Sequence, residues 1–110
     1  MNAMKNTVQL IGNVGNDPEI KNFDGGKKVA NLTIATNDSY KNDKGEKVEQ
    51  TEWHKVVAWG KTAEIIEKFV TKGKEIAIEG KLTHRSYDDK NGEKRYITEV
   101  VANDVLLLGK

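Results

Sequence analysis

Apolar residues in this chain recur at every second position over most of its length, and at helical spacing only once. That pattern confines the chain to a β-sheet architecture with a single helix inserted. Thr7 to Val14 is β-branched and apolar, and Asn16-Asp17-Pro18 breaks it. After the turn signal Asp24-Gly25-Gly26, Ala30, Leu32 and Ile34 alternate with Asn31, Thr33 and Ala35, as in a half-buried strand. Asn42 to Lys47 reads as a charged loop at a hairpin tip, and Thr51 to Trp59 as a third strand. Thr62 to Lys72 then sets Ile65, Ile66, Phe69 and Val70 on one helical face, with Gly73 as its stop. On that stripe Phe69 is expected in the core. Two further strands, Glu75 to Tyr87 and Lys94 to Leu108, flank the hairpin loop Asp88-Asp89-Lys90-Asn91-Gly92.

One short helix cannot cover both faces of a five-stranded sheet. Closing the strands into a barrel removes most exposed edges and lets the helix plug one end. The expected fold is therefore all-β: a five-stranded OB-fold barrel with one α-helix between strands 3 and 4. At 110 residues there is room for one domain. Residues 1–4 are expected to be a disordered N-terminal extension or a remnant of cloning, and residues 5–110 the domain. No apolar run approaches the length of a membrane span and no basic-then-apolar leader opens the sequence, so the expected location is the cytoplasm.

Most chemistry is excluded by what is missing. Without cysteine there is no disulfide, thiol nucleophile or Cys-ligated metal. His54 and His84 are the only histidines and lie in no metal-binding spacing. Gly60-Lys61-Thr62 resembles the end of a phosphate loop, but Lys55 stands where that loop needs glycine. Fitting a calcium loop to Asp88–Gly92 puts Tyr87 and Thr98 at ligand positions. With no nucleophile–base pair in sight, neither an enzyme nor a cofactor is expected.

A binding surface is better supported. The net charge is only +1, yet residues 53–87 carry an excess of three positive charges and four of the seven aromatics. Period 2 projects Trp53, Lys55, Val57 and Trp59 from one face of a strand. A lysine between two tryptophans either snorkels from a core or belongs to a solvent-facing platform. On such a platform indoles stack nucleobases and the lysine meets phosphate. Tyr40 and Tyr87, each at a hairpin mouth, extend the platform or are rim residues.

Several blocks are familiar as a set. They are Asn13-Val14-Gly15-Asn16-Asp17-Pro18-Glu19, Val29 to Thr36, Thr51-Glu52-Trp53-His54-Lys55-Val56-Val57, Trp59-Gly60-Lys61 and Ile78-Glu79-Gly80-Lys81-Leu82. In this order they resemble the bacterial single-stranded DNA-binding protein family, SSB, from about Lys5 to Val101. The resemblance implies an OB fold, a homotetramer, and sequence-independent binding and protection of single-stranded DNA in replication, recombination and repair. It implies base stacking at Tyr40, Trp53, Trp59 and Tyr87, although tryptophan is usual at Tyr40 and Tyr87, and phenylalanine at Trp59. It implies phosphate contacts at Lys55, Lys61, Lys72 and Arg85, and a part in subunit assembly for His54. Thr71, Thr83 and Ser86 stand where basic residues are frequent, so a weaker electrostatic grip is expected. The family usually continues into a flexible linker and an acidic tip that recruits other enzymes. This sequence stops at Leu108-Gly109-Lys110, as a truncated chain or a tailless variant would, and recruitment through a tip is not expected of it.

Overall fold

The computed structural model describes residues 3–108, so part of the expected N-terminal extension, residues 1–2, lies outside the described residues. A short 3-10 turn, Ala3–Asn6, precedes β1 (Val8–Val14) and β2 (Glu19–Phe23). The long strands β3 (Lys27–Lys41) and β4 (Lys47–Trp59) follow, then α1 (Gly60–Phe69), β5 (Glu75–Asp88) and β6 (Lys94–Leu107). The sheet runs β1-β5-β6-β4-β3-β2. Pairing of β1 with β3, Asn13 opposite Ala35 and Val14 opposite Ile34, closes it. The closed circuit is thus β1, β3, β4, β6 and β5: a five-stranded barrel with its helix between the third and fourth barrel strands along the chain. This is the expected architecture.

The strand that the sequence pattern does not announce is β2. It continues β1 beyond the Asn16-Asp17-Pro18 break and pairs antiparallel with the start of β3, from Glu19 opposite Asn31 to Phe23 opposite Lys27. Asn16 manages the break. Its Oδ1 accepts from the Thr33 backbone N–H at 2.9 Å and from the Thr33 hydroxyl at 2.7 Å, replacing ladder bonds where β1 leaves the sheet.

Within the barrel, even-numbered residues of β3 and β4 face the interior. Leu32, Ile34, Val56 and Ala58 are buried there, with Val100 and Ala102 from β6. Between the Glu79–Asp104 and Gly80–Ala102 pairs Asn103 is an extra residue, a bulge that lets β6 bend around the barrel. The helix begins earlier than its pattern suggests. Trp59 is still extended, and Gly60 turns the chain at φ +61°, a left-handed conformation that suits glycine. It also ends earlier, because the β-branched Val70 returns to extended backbone and Gly73 lies in the following turn. Only Ala63, Ile66 and Val70 of this segment are buried. Phe69 is 55% exposed, against its expected place in the core: the helix touches the barrel end along a narrow line that Phe69 misses.

The two hairpins outgrow the barrel. A compact chain of this length has a radius of gyration of about 13 Å, and this one has 16.1 Å. Strands of 13–15 residues span roughly 45 Å, whereas β4 and β6 pair only over residues 56–58 and 100–102. The β3–β4 and β5–β6 hairpins therefore project as arms.

Candidate nucleic-acid interface

The odd-numbered residues of β4 form an outward face. Trp53 and Trp59 are 63% and 51% exposed, Lys55 is exposed, and Val57 is buried between them. Neither indole is a core residue. Register carries the face across the sheet. Ala35, Thr33, Asn31 and Val29 of β3 stand opposite Trp53, Lys55, Val57 and Trp59, and Glu19, Lys21 and Phe23 of β2 continue the row. On the other side, Arg85, Ile97 and Glu99 line the same groove as Lys55, Val57 and Asn31.

Each aromatic is supported from the sequence upward. Trp53 lies over Gly15, where a Cβ would come within 2.4 Å of Trp53 Cζ3 and 2.8 Å of Thr33 Oγ1. The missing side chain makes room for the indole. Trp59 stacks on Phe23, with ring centroids 6.4 Å apart and planes at 25°. Phe23 extends the aromatic surface, and sequence reasoning misses it because it misses β2. The alternation of Glu19, Lys21 and Phe23 with Ile20 is the signal that could have found it.

The expected basic residues divide into two groups. Lys55 lies within the groove. Arg85 does too, and its Nε donates to Glu99 Oε1 at 2.8 Å. Arg85 stays 54% exposed, which leaves its terminal nitrogens accessible, while the Glu99 side chain is 10% exposed. Lys61 is on the first turn of α1, and Lys72 lies beyond its end, where its backbone N–H donates to Asp17 Oδ1 at 2.9 Å. These two flank the helix and are not among the residues lining the groove.

Tyr87 pairs with Arg95 and shares the groove parity of Arg85 and Ile97, on the β5–β6 arm. Tyr40 pairs with Val48 and has the parity of Thr36 and His54, so its register places it on the other face of the β3–β4 arm from Trp53. Both tyrosines are exposed. His54 also points away from Trp53, and its Nε2 is hydrogen-bonded to the Thr36 hydroxyl at 2.9 Å.

The groove is therefore a shallow sheet face bearing exposed flat rings, an apolar strip at Val57 and Ile97, and three cations (Lys21, Lys55, Arg85) against two carboxylates (Glu19, Glu99). Unpaired bases can lie on such rings while side-chain cations meet the backbone. A duplex, whose bases already stack on each other, cannot use the rings. Among the described residues no three His, Asp or Glu side chains converge as metal ligands, and no helix is long and apolar enough to cross a membrane.

Comparison with known proteins agrees with this geometry. The model of the Single-strand binding protein family matches residues 5–108. Single-stranded DNA-binding protein 1 of Chlorobaculum tepidum is 48% identical over 105 residues, covering 94% of this chain and 65% of that protein. Single-stranded DNA-binding protein 1 of Xylella fastidiosa is 46% identical over 109 residues, covering 98% of this chain and 80% of that protein. Among solved structures, a Plasmodium falciparum SSB in complex with single-stranded DNA superposes with a TM-score of 0.88 at 32% identity, over 99% of this chain and 100% of that one.

Proposed function

This chain belongs to the single-strand binding protein family, and we propose that it binds and protects single-stranded DNA without regard to base sequence. The observation that carries the reading is the outward row Trp53, Lys55, Val57 and Trp59 on a barrel strand whose alternate residues fill the core. Bases stack on Trp53 and on the Trp59–Phe23 pair, Tyr87 on the β5–β6 arm adds a ring to the path, and Tyr40 adds one where the strand passes round to the other face of the β3–β4 arm. Lys55 and Arg85 meet phosphates in the groove, and Lys61 and Lys72 meet them at the two ends of the helix. Stacking needs no particular base edge, so affinity follows strandedness and not sequence. No catalytic step is involved.

Such a protein acts wherever strands are separated in the cytoplasm, during replication, recombination and repair. Linking several grooves makes each later contact with the same strand intramolecular, which multiplies affinity. A homotetramer is the assembly we infer. Its support is the family resemblance, together with Ile11 and Leu106, each 62% exposed on a barrel face lined by β1, β5 and β6. His54 contributes to assembly in this reading.

The test is fluorescence anisotropy with labelled oligothymidine, a duplex of equal length, and oligouridine, with sedimentation of the free protein. Tight binding of oligothymidine, with the duplex at least a hundredfold weaker, is expected. Equal affinity for the duplex overturns the reading, and preference for oligouridine redirects it to RNA. A monomer in sedimentation removes the tetramer.

A further inference from the structure

Glu99 is out of place in a polyanion site. It is the one charged residue that is buried among those described, at 9% exposure, and it lines three adjoining depressions of the groove, the first with Lys55, Val57 and Ile97. A carboxylate there repels phosphate, and its burial is costly. The Arg85 bond does not cancel this, because the pair has a direction: the carboxylate is 10% exposed and the guanidinium 54%. The negative end of the pair is sunk in the floor, and the positive end is turned to the rim.

A single strand has the same duality. Its bases are uncharged and flat, and its backbone carries the charge. A base set against Val57 and Ile97 can offer its ring N–H or amine to the carboxylate, while its phosphate reaches Arg85 and Lys55 at the edge. A backbone laid on the floor would meet the carboxylate at short range, where screening by salt is weak. We propose that Glu99 is a specificity-determining group of the groove: it keeps phosphates off the floor, so the site prefers strands that carry bases over bare polyanions. This rests on the reading of the groove as a single-strand site and adds the residue that orients the strand in it.

The test compares labelled oligothymidine with an abasic oligomer of equal length, using the complete chain at low and high salt. Glu99→Gln keeps an oxygen for Arg85 Nε and removes the charge. Relative to oligothymidine, abasic affinity is expected to rise about tenfold at low salt, and the gain to persist at high salt, because salt screens a charge sunk in the floor only weakly. Glu64→Gln, an equal charge change on the exposed side of α1, should leave the ratio unchanged. Glu99→Asp retains the charge and should keep the preference within about threefold of the native protein, so that loss of the preference there counts against the proposal even if the glutamine variant does not fold. Equal gains on both ligands in Glu99→Gln, equal losses on both, or loss of the preference in Glu99→Asp would overturn the proposal. If the native protein binds neither ligand, the single-strand reading itself fails. If it binds oligothymidine and only the ratio stays fixed, that reading stands and the role of Glu99 falls.

Discussion

Replacing Gly15 with alanine separates the support of the binding platform from the stability of the barrel. A Cβ at residue 15 would stand 2.4 Å from Trp53 Cζ3, where ordinary contact is 3.4–4 Å, so the indole must withdraw by about 1 Å. It can do so, because it is 63% exposed. The ring then leaves the plane set by its neighbours and loses most of one stacked base. That is about 1–2 kcal/mol, or roughly 5- to 30-fold in affinity. The same Cβ would press on Thr33 Oγ1 at 2.8 Å and disturb its hydrogen bond to Asn16. Losing that bond costs about 1 kcal/mol of stability, a fall in Tm on the order of 5 °C. Gly12→Ala is the contrast. Its Cβ would lie 2.2 Å from the Ala35 carbonyl oxygen, backbone held in the closing β1–β3 pair, and neither side can yield. That variant should lose about 3 kcal/mol or more, while the molecules that remain folded bind normally. Oligothymidine titrations and thermal melts of both variants provide the assay. Native affinity in a folded Gly15→Ala protein would refute the claim that this contact sets the stacking position of Trp53.

Trp59→Ala and Phe23→Ala should weaken oligothymidine binding by similar factors, about 5- to 100-fold each, and together by less than the product, since the rings form one stack. Lys55→Gln should lower the salt slope of log affinity by about 0.7 for each phosphate that the lysine neutralises, whereas Trp53→Ala should lower affinity at every salt concentration and leave the slope unchanged. The Arg95 side chain, helped by the backbone N–H groups of Glu93 and Asn91, holds the Asp89 carboxyl below its ordinary range. Its folded value is depressed, so the stability it contributes is present above the unfolded aspartate value of about 3.9 and is lost as pH falls through the lower folded value. A Tm difference between the native protein and Asp89→Asn should accordingly be seen at neutral pH and vanish in acid.

The legible parts of the fold are those where one physical demand acts alone. Trp53, Lys55 and Trp59 are readable as a surface because strict alternation puts a charge between two rings, and the burial of Val56 and Ala58 enforces that alternation. The helix is legible in kind but not in its ends. Its start depends on a left-handed Gly60 in place of a capping side chain, and its apolar stripe is wider than the line along which it meets the barrel, which leaves Phe69 and Ile65 exposed. β2 is hidden because proline and asparagine mark a break without saying whether the chain rejoins the same sheet. It rejoins through Asn16 and Thr33, residues far apart in sequence. The position of Tyr40 is not legible either, since parity along an arm is fixed by the register with β4, and the arm has no buried face to announce it. The Arg85–Glu99 pair lies beyond pattern reading for a similar reason: the two residues are 14 apart and meet only through the β5–β6 ladder.

The central claim is that unpaired bases lie on the exposed indoles of β4, and tryptophan fluorescence reports on those indoles directly. The chain has two tryptophans, both on this face. Titration with oligothymidine should quench most of their emission, at low salt and, with weaker affinity, at high salt, while a matched duplex leaves it largely unchanged. Binding of oligothymidine without quenching would contradict the claim, because the strand would then be held somewhere other than on Trp53 and Trp59.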